Sequence, residues 1–182
     1  MRIAAIVSAA LALMTTGGAA ERSVSVCIDL GVGLPDLQLA RMLASKIFAK
    51  AGTGIQWRCS GGPEQPIAIA MSTNTPDEDY PGALAYAQPF GGGIRVFYNR
   101  FHNYAPEMRA HLLAYVLVHE ITHVLQGITR HSESGVMKAH WDDRDFRKIS
   151  SMGMALTPLD VLLIHHGMAA RSLAGSVLAH VH

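Results

Sequence analysis

Five consecutive residues, His119-Glu120-Ile121-Thr122-His123, put two imidazoles and a carboxylate at a spacing suited to metal chemistry. Helical residues four apart lie about 40° apart around the axis and one turn along it, so both rings leave one face and can bind one ion. Glu120 projects beside them and reaches a water on the metal rather than the metal itself. Burying the three groups on one apolar helix is costly without partners, and a zinc ion is the simplest partner. The chemistry this implies is hydrolysis: zinc polarises a carbonyl and acidifies the water, and Glu120 takes the proton as general base and delivers it to a leaving amine.

A catalytic zinc takes three protein ligands and keeps one position open. Downstream stand Gly127 and His131. The glycine lets the chain reverse in a left-handed conformation, and four extended residues span at most about 13 Å, enough to return His131 to the metal. His140 and an aspartate among Asp142, Asp143 and Asp145 are rival third ligands. Lys138, His140 and Tyr86 are candidates for oxyanion support.

These residues must be positioned by a folded scaffold. Val24, Val26 and Ile28 alternate, which predicts a strand over 23–29. Leu39, Met42, Leu43, Ile47 and Phe48 recur at helical spacing until Gly52 and Gly54, giving a helix over 36–51. Short strands are expected at 54–58 and 66–71, an exposed loop over 72–82, and extended runs at 83–87 and 94–98 around a Gly91-Gly92-Gly93 turn. The long helix carrying the motif opens at Pro106, has Glu107 in its first turn, and stops at Gly127. A last helical block begins after Thr157-Pro158 and runs towards the C-terminus with a break near Gly167.

With 182 residues, 49% hydrophobic and 16% charged, the chain has the material for one domain with a real core. A formal net charge of +1 with scattered cations argues against nucleic acid or an anionic membrane surface as a partner. Arg2, the apolar run Ile3 to Met14, and small residues Gly18 and Ala20 read as a signal peptide over 1–20. The run is too short to span a bilayer comfortably. Residues 21–182 would then be a secreted or periplasmic domain, expected to be monomeric, with no stable membrane association and no room for an inhibitory propeptide. In an oxidising compartment Cys27 and Cys59 can pair, the alternative being two buried free thiols.

Beyond His131 runs Ser132-Glu133-Ser134-Gly135-Val136-Met137-Lys138-Ala139-His140-Trp141. With this segment the sequence resembles the metzincin clan of zinc metallopeptidases, whose His-Glu-x-x-His-x-x-Gly-x-x-His motif is followed by a tight turn carrying a methionine. Met137 corresponds to that methionine, an apolar floor under the zinc site. Gly127 and His131 each come one residue later than in the clan's pattern. The stretch is also similar to a group of small secreted bacterial proteins with this lengthened spacing, followed by His-Ser, Gly-[Val/Ile]-Met and a Trp. The resemblance implies an α+β domain with a twisted, mixed five-stranded sheet, an edge strand at 83–87 that pairs with extended substrate, the motif helix and C-terminal helices. It implies a secreted zinc endopeptidase acting on a peptide or protein substrate, with one Zn²⁺ per chain held by His119, His123 and His131. Two readings compete: a zinc-binding protein without turnover, and a zinc amidase acting on cell-wall peptides. Glu120 argues against the first, since a structural site has no use for a base beside its ligands.

Overall fold

Period-two burial shapes the first strand. In the computed structural model, which describes residues 22–29, 33–60, 65–89 and 93–179 with side chains to residue 173, Val24, Val26 and Ile28 of β1 (Arg22–Asp29) are buried and their neighbours less so. Residues alternate across a strand, so this face meets the core. The chain continues through α1 (Leu37–Lys50), β2 (Thr53–Trp57), β3 (Ile67–Ser72), β4 (Ala85–Gln88) and β5 (Gly93–Phe97). A 3₁₀ turn (Tyr98–Asn103) leads into α2 (Pro106–Gln126), α3 (Asp143–Ser150) and α4 (Pro158–Ala179).

The strands form one mixed sheet in the order β2-β1-β3-β5-β4. β1, β2, β3 and β5 are parallel, and β4 runs antiparallel to β5 at the edge. The architecture is therefore α+β around a five-stranded mixed sheet, as the sequence implied at that level. Helix α2 is buried from Leu112 to Gln126 without interruption, the mark of a helix enclosed on every side. It packs against α1 and α4 and reaches the sheet.

Element ends shift by one or two residues from expectation, one reading needs correction and one helix, α3, was not expected. The helix at the C-terminus has no break near Gly167: α4 is continuous through it. The stretch holding Asp142, Asp143 and Asp145 is a helix start, where Asp142 caps α3 and forms a capping box with Asp145. The turn Tyr98–Asn103 is helical rather than extended beyond Phe97. Residues 1–20, and Gly91 and Gly92 of the expected turn, lie outside the described residues. Among the described residues no helix is long and apolar enough to cross a membrane.

Cys27 and Cys59 are joined by a disulfide, Cα atoms 4.4 Å apart across a sequence separation of 32. It ties β1 to the segment leaving β2, beside the Arg58 amide that donates to the Val26 carbonyl at 2.9 Å. Closing a loop of this size contributes about 3–4 kcal/mol in the chain-entropy account.

Candidate metal centre

Two backbone carbonyls set the proton positions on the α2 histidines. His119 Nδ1 stands 2.9 Å from the Val136 carbonyl oxygen and His123 Nδ1 3.1 Å from that of Ile128. A carbonyl only accepts, so each Nδ1 carries the proton and each Nε2 keeps its lone pair. The two Nε2 atoms face each other at 3.1 Å. Two lone pairs at that distance repel, and a cation between them relieves the repulsion. His131 completes the group: one ligand atom from each of the three imidazoles falls within 4.8 Å of the others. Three imidazoles so disposed are close enough to bind a metal ion.

Electrostatics keep the rings in the metal-binding form. Burial pushes His119 down to about 4, and burial likewise lowers His123 and His131, with the His140 ring adding to the depression at His131. Neutral imidazole is the species that ligates.

The return of His131 follows the reading from sequence. Gly127 caps α2 with φ of +66°, a left-handed conformation that glycine adopts without strain, and its amide donates to the His123 carbonyl at 2.9 Å. Among the described residues, no other trio of His, Cys, Asp or Glu gathers this way. Asp142 and Asp145 are instead engaged in the cap of α3 and with the Lys138 ammonium, and Asp143 is the first residue of α3. His140 lines the cleft beside the triad.

Glu120 is buried next to the imidazoles, at 9% exposure. Burial pushes its carboxyl up to about 7, against the opposing effect of a hydrogen bond from the Ala87 backbone N–H. That amide belongs to the edge strand. The Phe97 amide donates to the Leu84 carbonyl, so by antiparallel alternation the pairs Ala85–Val96 and Ala87–Ile94 are the non-hydrogen-bonded ones. The N–H and C=O groups of Ala85 and Ala87 accordingly point away from β5.

A cleft of about 560 Å³ opens over this group. Pro81 to Ala85 form one wall; Tyr104, Val116, Trp141 and Phe146 contribute apolar surface opposite. The Pro81–Ala83 rim is held from beneath by Arg100, buried at 8% exposure, whose guanidinium donates to the carbonyls of Tyr80, Ala83, Pro76 and Asp79 at 2.7, 2.6, 2.8 and 2.5 Å. Tyr80, at φ of +53°, is further pinned by stacking on Tyr86 and Phe97. Tyr86 is thereby committed to that stack and is not among the residues lining the cleft; Lys138 lines it but is paired with two carboxylates.

Sequence reasoning missed Arg100 and the two carbonyls that orient the imidazoles, which left no local signal. Trp141, which entered only with the resemblance and was given no role there, meets the His119 ring edge-on at 5.9 Å. Met137 is fully buried, and its carbonyl accepts from the Ser132 amide at 2.7 Å. In comparisons with known proteins, no family model, no curated protein and no solved structure matches the chain.

Proposed function

We propose that the protein is an exported, metzincin-like zinc endopeptidase. The observation that carries this reading is the meeting of three neutral imidazoles with a buried carboxylate that is adjacent to a ligand without being one. An all-imidazole donor set suits zinc and leaves a coordination position open. His119, His123 and His131 would hold the ion, which when bound supplies a Lewis acid for the scissile carbonyl and lowers the pKa of water.

The remaining work falls to the chain. Glu120, with its carboxyl near neutrality, is matched to accept a proton from the attacking water and return it to the leaving nitrogen. The outward N–H and C=O of Ala85 and the outward C=O of Ala87, whose N–H is engaged by Glu120, suit an extended peptide added to the sheet edge. Apolar surface from Val116 and Phe146 suits a hydrophobic side chain. The disulfide fits an oxidising compartment, as export requires.

Zinc content of the purified chain, measured together with cleavage of a broad peptide library with and without a chelator, tests the reading. About one zinc per chain and chelator-sensitive cleavage are expected. Zinc without cleavage of any peptide would favour the binding-protein reading, and no metal uptake would overturn the site.

A further inference from the structure

Asp160, in the first turn of α4, is wholly buried, at 0% exposure. A buried carboxylate is expensive unless its lone pairs are satisfied, and here they divide cleanly. Oδ1 accepts from Arg130 Nη1 at 3.0 Å and from Ser132 Oγ at 2.7 Å. Oδ2 accepts from the Thr157 amide at 3.0 Å and from Thr157 Oγ1 at 2.6 Å. Burial pushes this carboxyl up, but the hydrogen bonds from Thr157, Ser132 and Arg130 outweigh it and hold the group below its ordinary value, hence ionised.

The residues gripped by Oδ1 are the two neighbours of His131. His119 and His123 are each oriented by a carbonyl on their own Nδ1. His131 is exposed and stands in an irregular segment, and among the described residues no hydrogen bond holds its ring. Its placement therefore depends on where residues 130 and 132 are fixed. α4 is itself anchored to the motif helix, since Gln126 Nε2 donates to the Asp160 carbonyl at 3.2 Å.

We infer that Asp160 is the positioning residue of the metal centre, its Oδ1 clamping Arg130 and Ser132 so that His131 meets the two α2 imidazoles. This rests on the reading of the three histidines as a metal site. The division of labour between the two oxygens makes it separable from plain helix capping: Ser132→Ala removes an Oδ1 partner and leaves the cap, whereas Thr157→Val weakens the cap and leaves the clamp.

The test compares parent, Ser132→Ala, Asp160→Asn and Thr157→Val. Zinc affinity is read by competition with a chromophoric chelator, coordination by the visible absorption of the Co²⁺ form, and folding by thermal midpoint. Ser132→Ala and Asp160→Asn should weaken zinc binding by about 10- to 100-fold, the range for groups that orient a ligand, and alter the cobalt spectrum. Thr157→Val should lower the midpoint while keeping parental affinity and spectrum. Ser132→Ala with parental affinity and spectrum overturns the inference, as does Thr157→Val losing affinity to the same extent. A parent that takes up neither metal overturns the metal-site reading itself, a result distinct from either of these. Should Asp160→Asn not fold, the Ser132 and Thr157 pair still decides.

Discussion

Gly167 of α4 lies against Leu125 of α2 so closely that a Cβ built on it would stand 1.8 Å from the Leu125 carbonyl oxygen. Backbone meets backbone there, and no side-chain rotation can relieve a methyl group. Gly167→Ala must push α4 off the end of the motif helix, costing at least the roughly 1–3 kcal/mol typical of overpacking. Thermal or urea unfolding of the variant checks this; an unchanged midpoint would show that the helices separate freely.

His131→Ala and His140→Ala should part company. The first removes one of three converging ligand atoms, so zinc affinity should fall by more than the roughly hundredfold attached to loss of an outer partner. The second removes a neighbour whose effect on His131 is to depress its pKa, and affinity should stay near parental. Equal losses in a chelator competition would move the third ligand.

Glu120→Gln keeps the shape of the side chain and deletes the base. Zinc content and fold should persist, and any peptidase activity should drop by roughly 10²–10⁴-fold, the usual share of general acid–base catalysis. A variant that holds zinc and cleaves at the parental rate would refute the assigned role.

The metal-free protein should lose stability on mild acidification. His119 falls from an ordinary 6.5 to about 4 on folding, so the unfolded chain takes up its proton first and stability declines as pH drops through 6.5 towards 4. Glu120 runs the other way: raised from 4.5 to about 7, it protonates first in the native state and adds stability over pH 7 to 4.5. These two oppose each other, and His123 and His131, both lowered by burial, tip the balance towards loss. The apo thermal midpoint at pH 5 should be below that at pH 7.5; a rise would mean that the buried carboxyl dominates.

What was legible in the sequence is what local geometry dictates. His119 and His123 share a face because helical periodicity puts residues four apart there, whatever surrounds the helix. Gly127 ends the helix because few other residues tolerate its backbone conformation, and Val24, Val26 and Ile28 announce a half-buried strand by alternation. Such signals need only neighbours along the chain. The choice of His131 over His140 and the aspartates was a different matter. It depends on a carboxylate from α4 that grips residues 130 and 132, and on α3 and Lys138 engaging Asp142 and Asp145. The raised pKa of Glu120 depends on its burial, which the hydrogen bond from the edge-strand amide of Ala87 opposes. Gly167 reads locally as a breaker, yet packing against Leu125 makes it the point where α4 must be smooth. Sequence by itself determined the motif and the elements that bear it. Tertiary structure alone decided how His131 is held beside the two α2 imidazoles, how the Glu120 carboxyl is tuned and where the last helix docks, because burial and close approach are made by residues distant in the chain.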